Sequence, residues 1–210
     1  MKESLFVTGP VGRLEVLMEQ PEGMDVPSRI ALICHPHPLY GGTMQNKVVT
    51  TLARAFLAEG LLAIRFNYRG VGLSEGSYGD FVGESADLKA MVAWIQETYP
   101  AVPRVLAGFS FGGRLALEQV YADPTAVCGL VTVSPAVHVA AVRAFHIAVP
   151  WLLIQGDADE VVPYEAVAEV AHASEPQPEF AVLAGATHFF HGRLLDVERV
   201  VREWVIGHLD

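Results

Sequence analysis

Two patterns of apolar residues occur in turn along this chain, short apolar runs and longer segments with apolar residues at helical spacing. The run at 29–34 is apolar without alternation, which is typical of a strand buried on both faces of a sheet. The segment 47–59 instead carries apolar residues such as Leu52 and Phe56 at helical spacing and is followed by Gly60, a common helix stop. The pattern therefore predicts strands and helices in turn.

Applied along the whole chain, the pattern predicts strands and helices that alternate from 29 onward, except that the strands 128–133 and 151–156 follow one another. The predicted strands are 12–19, 29–34, 61–67, 104–108, 128–133, 151–156 and 180–184, and the predicted helices are 47–59, 85–99, 111–121, 163–171 and 194–208. This order predicts an α/β fold with a mostly parallel central sheet flanked by helices on both faces. We expect a single domain over 1–210, with its ligand site at the carboxyl ends of the strands.

Composition and charge reduce the number of function classes that fit the chain. Hydrophobic residues make up 51% of the chain and charged residues 18%, as in a globular protein with a thick core. The net charge of −10, with scattered basic residues, argues against nucleic-acid binding. Neither a secretory signal nor a transmembrane run is recognisable. Cys34 and Cys128 lie in apolar runs, as small buried hydrophobes do in a reducing compartment, so we expect a cytoplasmic protein without membrane association.

The candidate nucleophile lies in the sequence GFSFGG at 108–113, between the strand predicted at 104–108 and the helix predicted at 111–121. This is G-x-S-x-G in the strand–turn–helix context of a nucleophile elbow. The serine of an elbow occupies a strained turn, and the glycines remove Cβ atoms that would collide with neighbouring backbone. We therefore predict Ser110 to be the nucleophile, with its hydroxyl at a helix N-terminus.

A serine of this kind is followed along the chain by an acid and then by a histidine. After the strand predicted at 151–156, the G-x-x-D spacing assigns the acid to Asp159. Asp157 is the alternative acid, although we expect it to stabilise the turn, and we expect Glu160 to be solvated. His188 follows the strand predicted at 180–184 through a short loop and is the candidate base.

Two further assignments stay open at this point. His191 shares the loop of His188 and is the second candidate for the base. Acyl transfer also needs N–H donors for an oxyanion, and the N–H of Phe111, next to the nucleophile, is one. The other is expected from the loop at 35–42, where proline lacks the hydrogen, so we favour His37 and keep Leu39 as the alternative.

With these motifs in place, the chain resembles the α/β-hydrolase superfamily, in particular its dienelactone-hydrolase and carboxylesterase branches. The loop at 67–74 (NYRGVGLS) is similar to one found in many members, and 35–42 and 185–194 (GATHFFHGRL) resemble a little-characterised bacterial subgroup. The resemblance implies a serine hydrolase with Ser110 as nucleophile, Asp159 as acid and His188 as base. Dienelactone hydrolases use a cysteine nucleophile, so their substrate is not implied.

The expected size of the substrate is inferred from the lack of room for a lid domain. Many relatives insert a lid after the strand that corresponds to 128–133, but here the seventeen residues at 134–150 are too few for a lid domain. We expect an open site for a small-molecule ester or thioester of short to medium chain, without a cofactor or a metal. The expected rim comprises Leu39, Tyr40, Phe109, Phe111, Val161, Phe189 and Phe190, although each aromatic side chain could equally belong to the core.

Two other functions remain possible from the sequence. Metal-dependent hydrolysis could use ligand types that a sheet might gather at one end, although their spacing matches no closed zinc pattern. Those residues are His35, His37, Asp157, Asp159, His188 and His191. The other alternative is a catalytically silent scaffold that binds a partner. The sequence leaves the oligomeric state open.

Overall fold

The computed structural model describes residues 1–21, 23, 26–139 and 144–209, which form one eight-stranded sheet and five α-helices. The strands are Lys2–Thr8 (β1), Arg13–Glu19 (β2), Ile30–Cys34 (β3), Leu62–Phe66 (β4), Arg104–Phe109 (β5), Gly129–Val133 (β6), Trp151–Gly156 (β7) and Glu179–Leu183 (β8). The helices are Lys47–Ala58 (α1), Val82–Thr98 (α2), Phe111–Ala122 (α3), Tyr164–Ala173 (α4) and Leu194–His208 (α5).

The strand order in the sheet is β1-β2-β4-β3-β5-β6-β7-β8. From β4 to β8 all neighbours are parallel, whereas β2 is antiparallel to both β1 and β4. The prediction of a mostly parallel α/β sheet is thus confirmed. In this arrangement the carboxyl ends of β3, β5, β7 and β8 lie on the same edge of the sheet, where the predicted catalytic residues follow them.

Helices cover the sheet on both faces, as β3 illustrates. Its side chains alternate between two cores: Ile30, Leu32 and Cys34 belong to one, and Ala31 and Ile33 to the other. The first core is closed by α2, α3 and α4, and the second by α1 and α5. This double burial explains why the strand is apolar without alternation.

The predictions from the sequence missed two features, the strand β1 and the exact start of α2. β1 was not predicted, because it is a mostly exposed edge strand in which only Val7 is buried, so it lacks the apolar pattern of the central strands. α2 starts at Val82, three residues before the predicted start at 85. The early start depends on the buried carboxylate of Glu84, which accepts hydrogen bonds from the N–H groups of Gly79 and Phe81.

The connection after β6 bears on access to the site. It comprises the seventeen residues 134–150, and its described part contains one short 3-10 turn, Val137–Val139. The described part of this connection thus contains no lid domain, in agreement with the expectation from its length. In the part of the chain that the structure describes, no helix is long and apolar enough to cross a lipid bilayer.

Candidate active site

Ser110 occupies the turn between β5 and α3 with φ of 54° and ψ of −116°, a conformation that residues other than glycine rarely adopt. Two glycines allow this turn. A Cβ on Gly108 would lie 2.3 Å from the carbonyl oxygen of Gly112. A Cβ on Gly112 would lie 2.5 Å from the carbonyl oxygens of Cys34 and His35, so the start of α3 packs directly against the loop after β3.

Ser110, His188 and Asp159 form one hydrogen-bonded chain across three strand ends. The Nε2 atom of His188 lies 3.1 Å from the Oγ atom of Ser110, and its Nδ1 atom lies 2.9 Å from the Oδ2 atom of Asp159. Ser110 is 8% exposed and His188 is 2% exposed, so solvent reaches the serine and hardly the imidazole. The structure thus brings together the three residues that the sequence singled out.

The partners of the imidazole fix its tautomer. A carboxylate oxygen only accepts, so the Nδ1 atom of His188 carries the hydrogen and donates it to Asp159. The Nε2 atom is then bare and accepts a hydrogen bond from the hydroxyl of Ser110. This is the tautomer in which a histidine can take a proton from a serine.

Asp159 is held as a carboxylate. Burial would raise its pKa, but hydrogen bonds from His188 and from the N–H groups of Val162 and Val161 outweigh burial, so its pKa lies below the ordinary value. The two N–H groups donate to Oδ1, at 2.9 Å from Val161 and 2.8 Å from Val162. The acid therefore stays charged beside His188 at neutral pH.

The sequence missed one contact of this acid. The Nε2 atom of Gln155 lies 3.1 Å from the Oδ2 atom of Asp159, on the same oxygen that accepts from His188. Gln155 is fully buried and also donates to the carbonyl oxygen of Val162 at 3.1 Å. The signal was present in the sequence as one amide at the end of the otherwise apolar strand β7.

The neighbouring carboxylates hold the loops together. The Oδ1 atom of Asp157 accepts from the N–H of Gly185 at 2.5 Å, so this residue joins two loops rather than stabilising its own turn. Glu160 is exposed, as expected, and its carboxylate also accepts a hydrogen bond from the N–H of His188 at 3.1 Å. His191 is exposed, and its ring lies 6.0 Å from the ring of Phe189.

The loop after β3 lies beside the nucleophile, and two side chains shape it. His35 is buried, donates from Nδ1 to the carbonyl oxygen of Pro36 at 2.6 Å and accepts the N–H of Tyr68 at Nε2, 3.1 Å away. Burial lowers the pKa of His35 to about 4, so its ring is neutral. The ring of His37 lies 4.7 Å from that of Phe111, which places this loop next to the start of α3.

The backbone N–H groups around Ser110 differ in whether they already donate a hydrogen bond within the protein. The N–H of Leu39 donates to the Nδ1 atom of His37 at 3.2 Å, so it is already used within the loop. Within the described chain, the N–H groups of His37 and Phe111 have no hydrogen-bond acceptor. Of the two loop donors left open by the sequence, the geometry therefore favours His37.

Two clefts meet at Ser110. One, of about 430 Å³, includes the rings of Tyr78, Phe81 and Phe111 in its wall, and we call it the aromatic cleft. The other, of about 340 Å³, includes His188 and Phe189, and we call it the histidine-side cleft. Both clefts are also lined by His37, Tyr40 and Val161.

The expected rim needs a partial correction. Tyr40, Val161 and Phe189 are exposed and line the clefts. Phe109 and Phe190 do not: both are fully buried, because β5 and the loop after β8 direct these rings into the core.

Phe109 instead supports the base. Its ring centroid lies 4.9 Å from that of His188, and 6.0 Å from that of Phe189. Leu39 is exposed, but among the described residues it is not part of the wall of either cleft.

Three of the four histidines considered as metal ligands are hydrogen-bonded within the protein, and the fourth, His191, is exposed. Both ring nitrogens of His35, His37 and His188 lie within hydrogen-bond distance of protein atoms. Over the described ranges, His, Cys, Asp and Glu side chains form no group of three or more suited to hold a metal ion.

Comparison with known proteins identifies the family of the chain. Residues 29–145, more than half of the chain, match the family described as serine aminopeptidase, S33. An uncharacterized protein of Rickettsia prowazekii is 31% identical over 96% of this chain and 88% of its own length.

Two solved structures are also similar to this chain. An α/β serine hydrolase homologue from Coxiella burnetii is 45% identical over 96% of each chain, with a TM-score of 0.87. An α/β serine hydrolase without a lid from Xanthomonas campestris is 36% identical over 97% of this chain and 93% of its own, with a TM-score of 0.88. The chain therefore belongs to the serine aminopeptidase S33 family of α/β serine hydrolases.

Proposed function

We propose that this chain, folded as one domain, hydrolyses small carboxylic esters or thioesters through an acyl-enzyme intermediate on Ser110. The observation that carries the proposal is the hydrogen-bonded chain from Ser110 through His188 to Asp159, at 3.1 and 2.9 Å. Membership of a serine hydrolase family supports the reaction class. No cofactor is needed for this chemistry.

In the acylation step, the Oγ atom of Ser110 attacks the carbonyl carbon of the ester while the Nε2 atom of His188 takes the hydroxyl proton. The electron pair of the carbonyl moves to its oxygen. When the tetrahedral intermediate collapses, the bond to the leaving oxygen or sulfur breaks and His188 returns its proton to that atom. The charge of Asp159 stabilises the imidazolium throughout.

The oxyanion would be held by the N–H groups of Phe111 and His37, the two donors without an acceptor of their own among the described residues. Phe111 is the first residue of α3, so the helix dipole adds to the stabilisation. In deacylation a water attacks the acyl carbon while His188 takes its proton. When this second tetrahedral intermediate collapses, the bond to the Oγ atom breaks, His188 returns the proton to Ser110, and the carboxylic acid leaves.

An open site lined by exposed apolar side chains suits short to medium acyl chains. Tyr40 and Val161 offer apolar surface at the mouth of both clefts. Each CH₂ that this surface covers contributes about 0.8 kcal/mol, or about fourfold in kcat/KM. We expect kcat/KM to rise over the first few carbons and then to level off as longer chains project into water.

The test is a chain-length series of p-nitrophenyl esters and acyl thioesters with wild type, Ser110→Ala and Ser134→Ala. Ser110→Ala should lower kcat by about 10⁴–10⁶. Ser134 is the control, because it is another buried serine and its hydroxyl has no partner among the described residues. Equal losses in both variants, or full activity in Ser110→Ala, would refute the proposed nucleophile.

A further inference from the structure

The two clefts differ in which part of a substrate they can hold. The leaving group of an ester receives its proton from the Nε2 atom of His188, so it must lie on the side of that residue. The histidine-side cleft includes His188 in its wall, and the aromatic cleft does not. With Ser110 at the junction of both, the acyl group of such an ester would extend into the aromatic cleft.

The wall of the aromatic cleft is a continuous series of ring contacts. The ring of His37 lies 4.7 Å from that of Tyr40, 5.2 Å from that of Tyr78 and 4.7 Å from that of Phe111. The ring of Phe81 meets that of Phe111 edge to face, with centroids 5.5 Å apart. A flat ring in the cleft would find edges and faces at the spacing that aromatic pairs prefer.

The turn that carries Phe81 is strained. Asp80 and Phe81 have φ of 52° and 72°, a left-handed conformation that is costly for residues with a Cβ. The fully buried carboxylate of Glu84 holds this turn by accepting from the N–H groups of Gly79 at 2.8 Å and Phe81 at 2.9 Å. Strain of this kind persists where the surroundings enforce it, and here it presents Phe81 to the cleft beside Ser110.

Packing within the protein leaves part of this aromatic surface uncovered. Tyr40 is 88% exposed although its ring joins the series, and Phe81 and Tyr78 are half-buried. The guanidinium of Arg114 stacks on Phe81 at 4.0 Å from the ring centroid. Arg114 thus covers one face of Phe81, and the parts of these rings that remain exposed are available to a ligand.

We propose that the aromatic cleft is the acyl subsite of Ser110 and selects esters whose acyl group carries a flat aromatic ring, with Phe81 as the residue that determines this specificity. This inference rests on the proposed esterase function. Hydrophobic burial alone would favour the larger, more apolar cyclohexyl group over phenyl, whereas ring contacts favour phenyl.

The experiment compares p-nitrophenyl phenylpropanoate with p-nitrophenyl cyclohexylpropanoate, which share their leaving group and carbon count. Wild type should prefer the phenyl ester in kcat/KM by about three- to tenfold. Phe81→Leu keeps an apolar side chain but no ring, and should reduce the preference to about one or below. Phe189→Leu, in the histidine-side cleft, is the control and should keep the wild-type preference.

A second measurement does not depend on the folding of a variant. Phenylpropanoate should inhibit wild-type hydrolysis of p-nitrophenyl acetate more strongly than cyclohexylpropanoate does. Equal or reversed preferences in wild type, or a preference that Phe81→Leu leaves intact, would overturn the inference. Hydrolysis of the acetate without ring preference would leave the proposed function standing, whereas no turnover of any ester would overturn both.

Discussion

The assignment of His37 as an oxyanion donor can be tested by comparing two variants that both lose its imidazole, of which only one also loses its N–H. Its backbone has φ of −54° and ψ of 124°, which proline can adopt. His37→Pro therefore deletes the donor at nearly unchanged backbone angles and places ring atoms where the oxyanion would lie. His37→Ala is the matched control, because it removes the same imidazole and keeps the N–H.

The expected magnitudes separate the two variants. Loss of one oxyanion donor lowers kcat by about 10²–10³. Both variants also lose the ring that accepts the N–H of Leu39 and contacts the hydroxyl of Tyr78, at 3.2 Å each. Each of these two neutral hydrogen bonds contributes about 1 kcal/mol. Because both variants lose both bonds, this contribution cancels when the two variants are compared.

The assay is kcat for a short p-nitrophenyl ester, with circular dichroism and thermal unfolding to verify that both variants fold. We expect His37→Pro to be at least about a hundredfold slower than His37→Ala. A folded His37→Pro protein with kcat within about threefold of His37→Ala would refute the oxyanion assignment.

Three further predictions follow. The pKa of His35 is lowered to about 4 from 6.5 by burial, so below pH 6.5 the unfolded chain binds the proton first. Through this group, the free energy of unfolding of wild type should then fall by about 3 kcal/mol between pH 6.5 and 4. Urea unfolding of His35→Gln should lack this pH dependence, and an equal pH dependence in both proteins would contradict the prediction. Asp159→Asn should lower kcat by about 10⁴, against about tenfold or less for Asp157→Asn, and the reverse order in steady-state kinetics would exchange their roles. Gln155→Leu should lower kcat about tenfold at unchanged KM, because Asp159 loses a donor; an unchanged kcat would make Gln155 purely structural.

The buried strands and the order of the candidate site residues could be predicted because both leave local signals. A strand such as β3, covered on both faces, must be apolar throughout. The turn at Ser110 tolerates so little side-chain volume that its glycines at 108 and 112 appear in the sequence as a motif. Asp159 and His188 followed from their places after β7 and β8.

What the sequence left hidden depends on contacts between distant segments. β1 is stabilised by pairing with β2 rather than by its own burial, so its sequence carries little pattern. Gln155 reads as an ordinary residue of β7 until Asp159 folds back onto its amide. Whether Phe109 lines the cleft or supports His188 depends on which face of the sheet its side chain enters.

The central claim is that Ser110 is the nucleophile. Mass spectrometry of the intact protein and of its peptides, after treatment with a fluorophosphonate that phosphonylates an activated serine, tests it most directly. Wild type should gain one adduct per chain, located on the peptide that contains Ser110, with a parallel loss of esterase activity. Ser110→Ala should gain none, and Ser134→Ala should react like wild type. An adduct on another residue, or a Ser110→Ala protein that keeps more than about a tenth of the wild-type activity, would contradict the account.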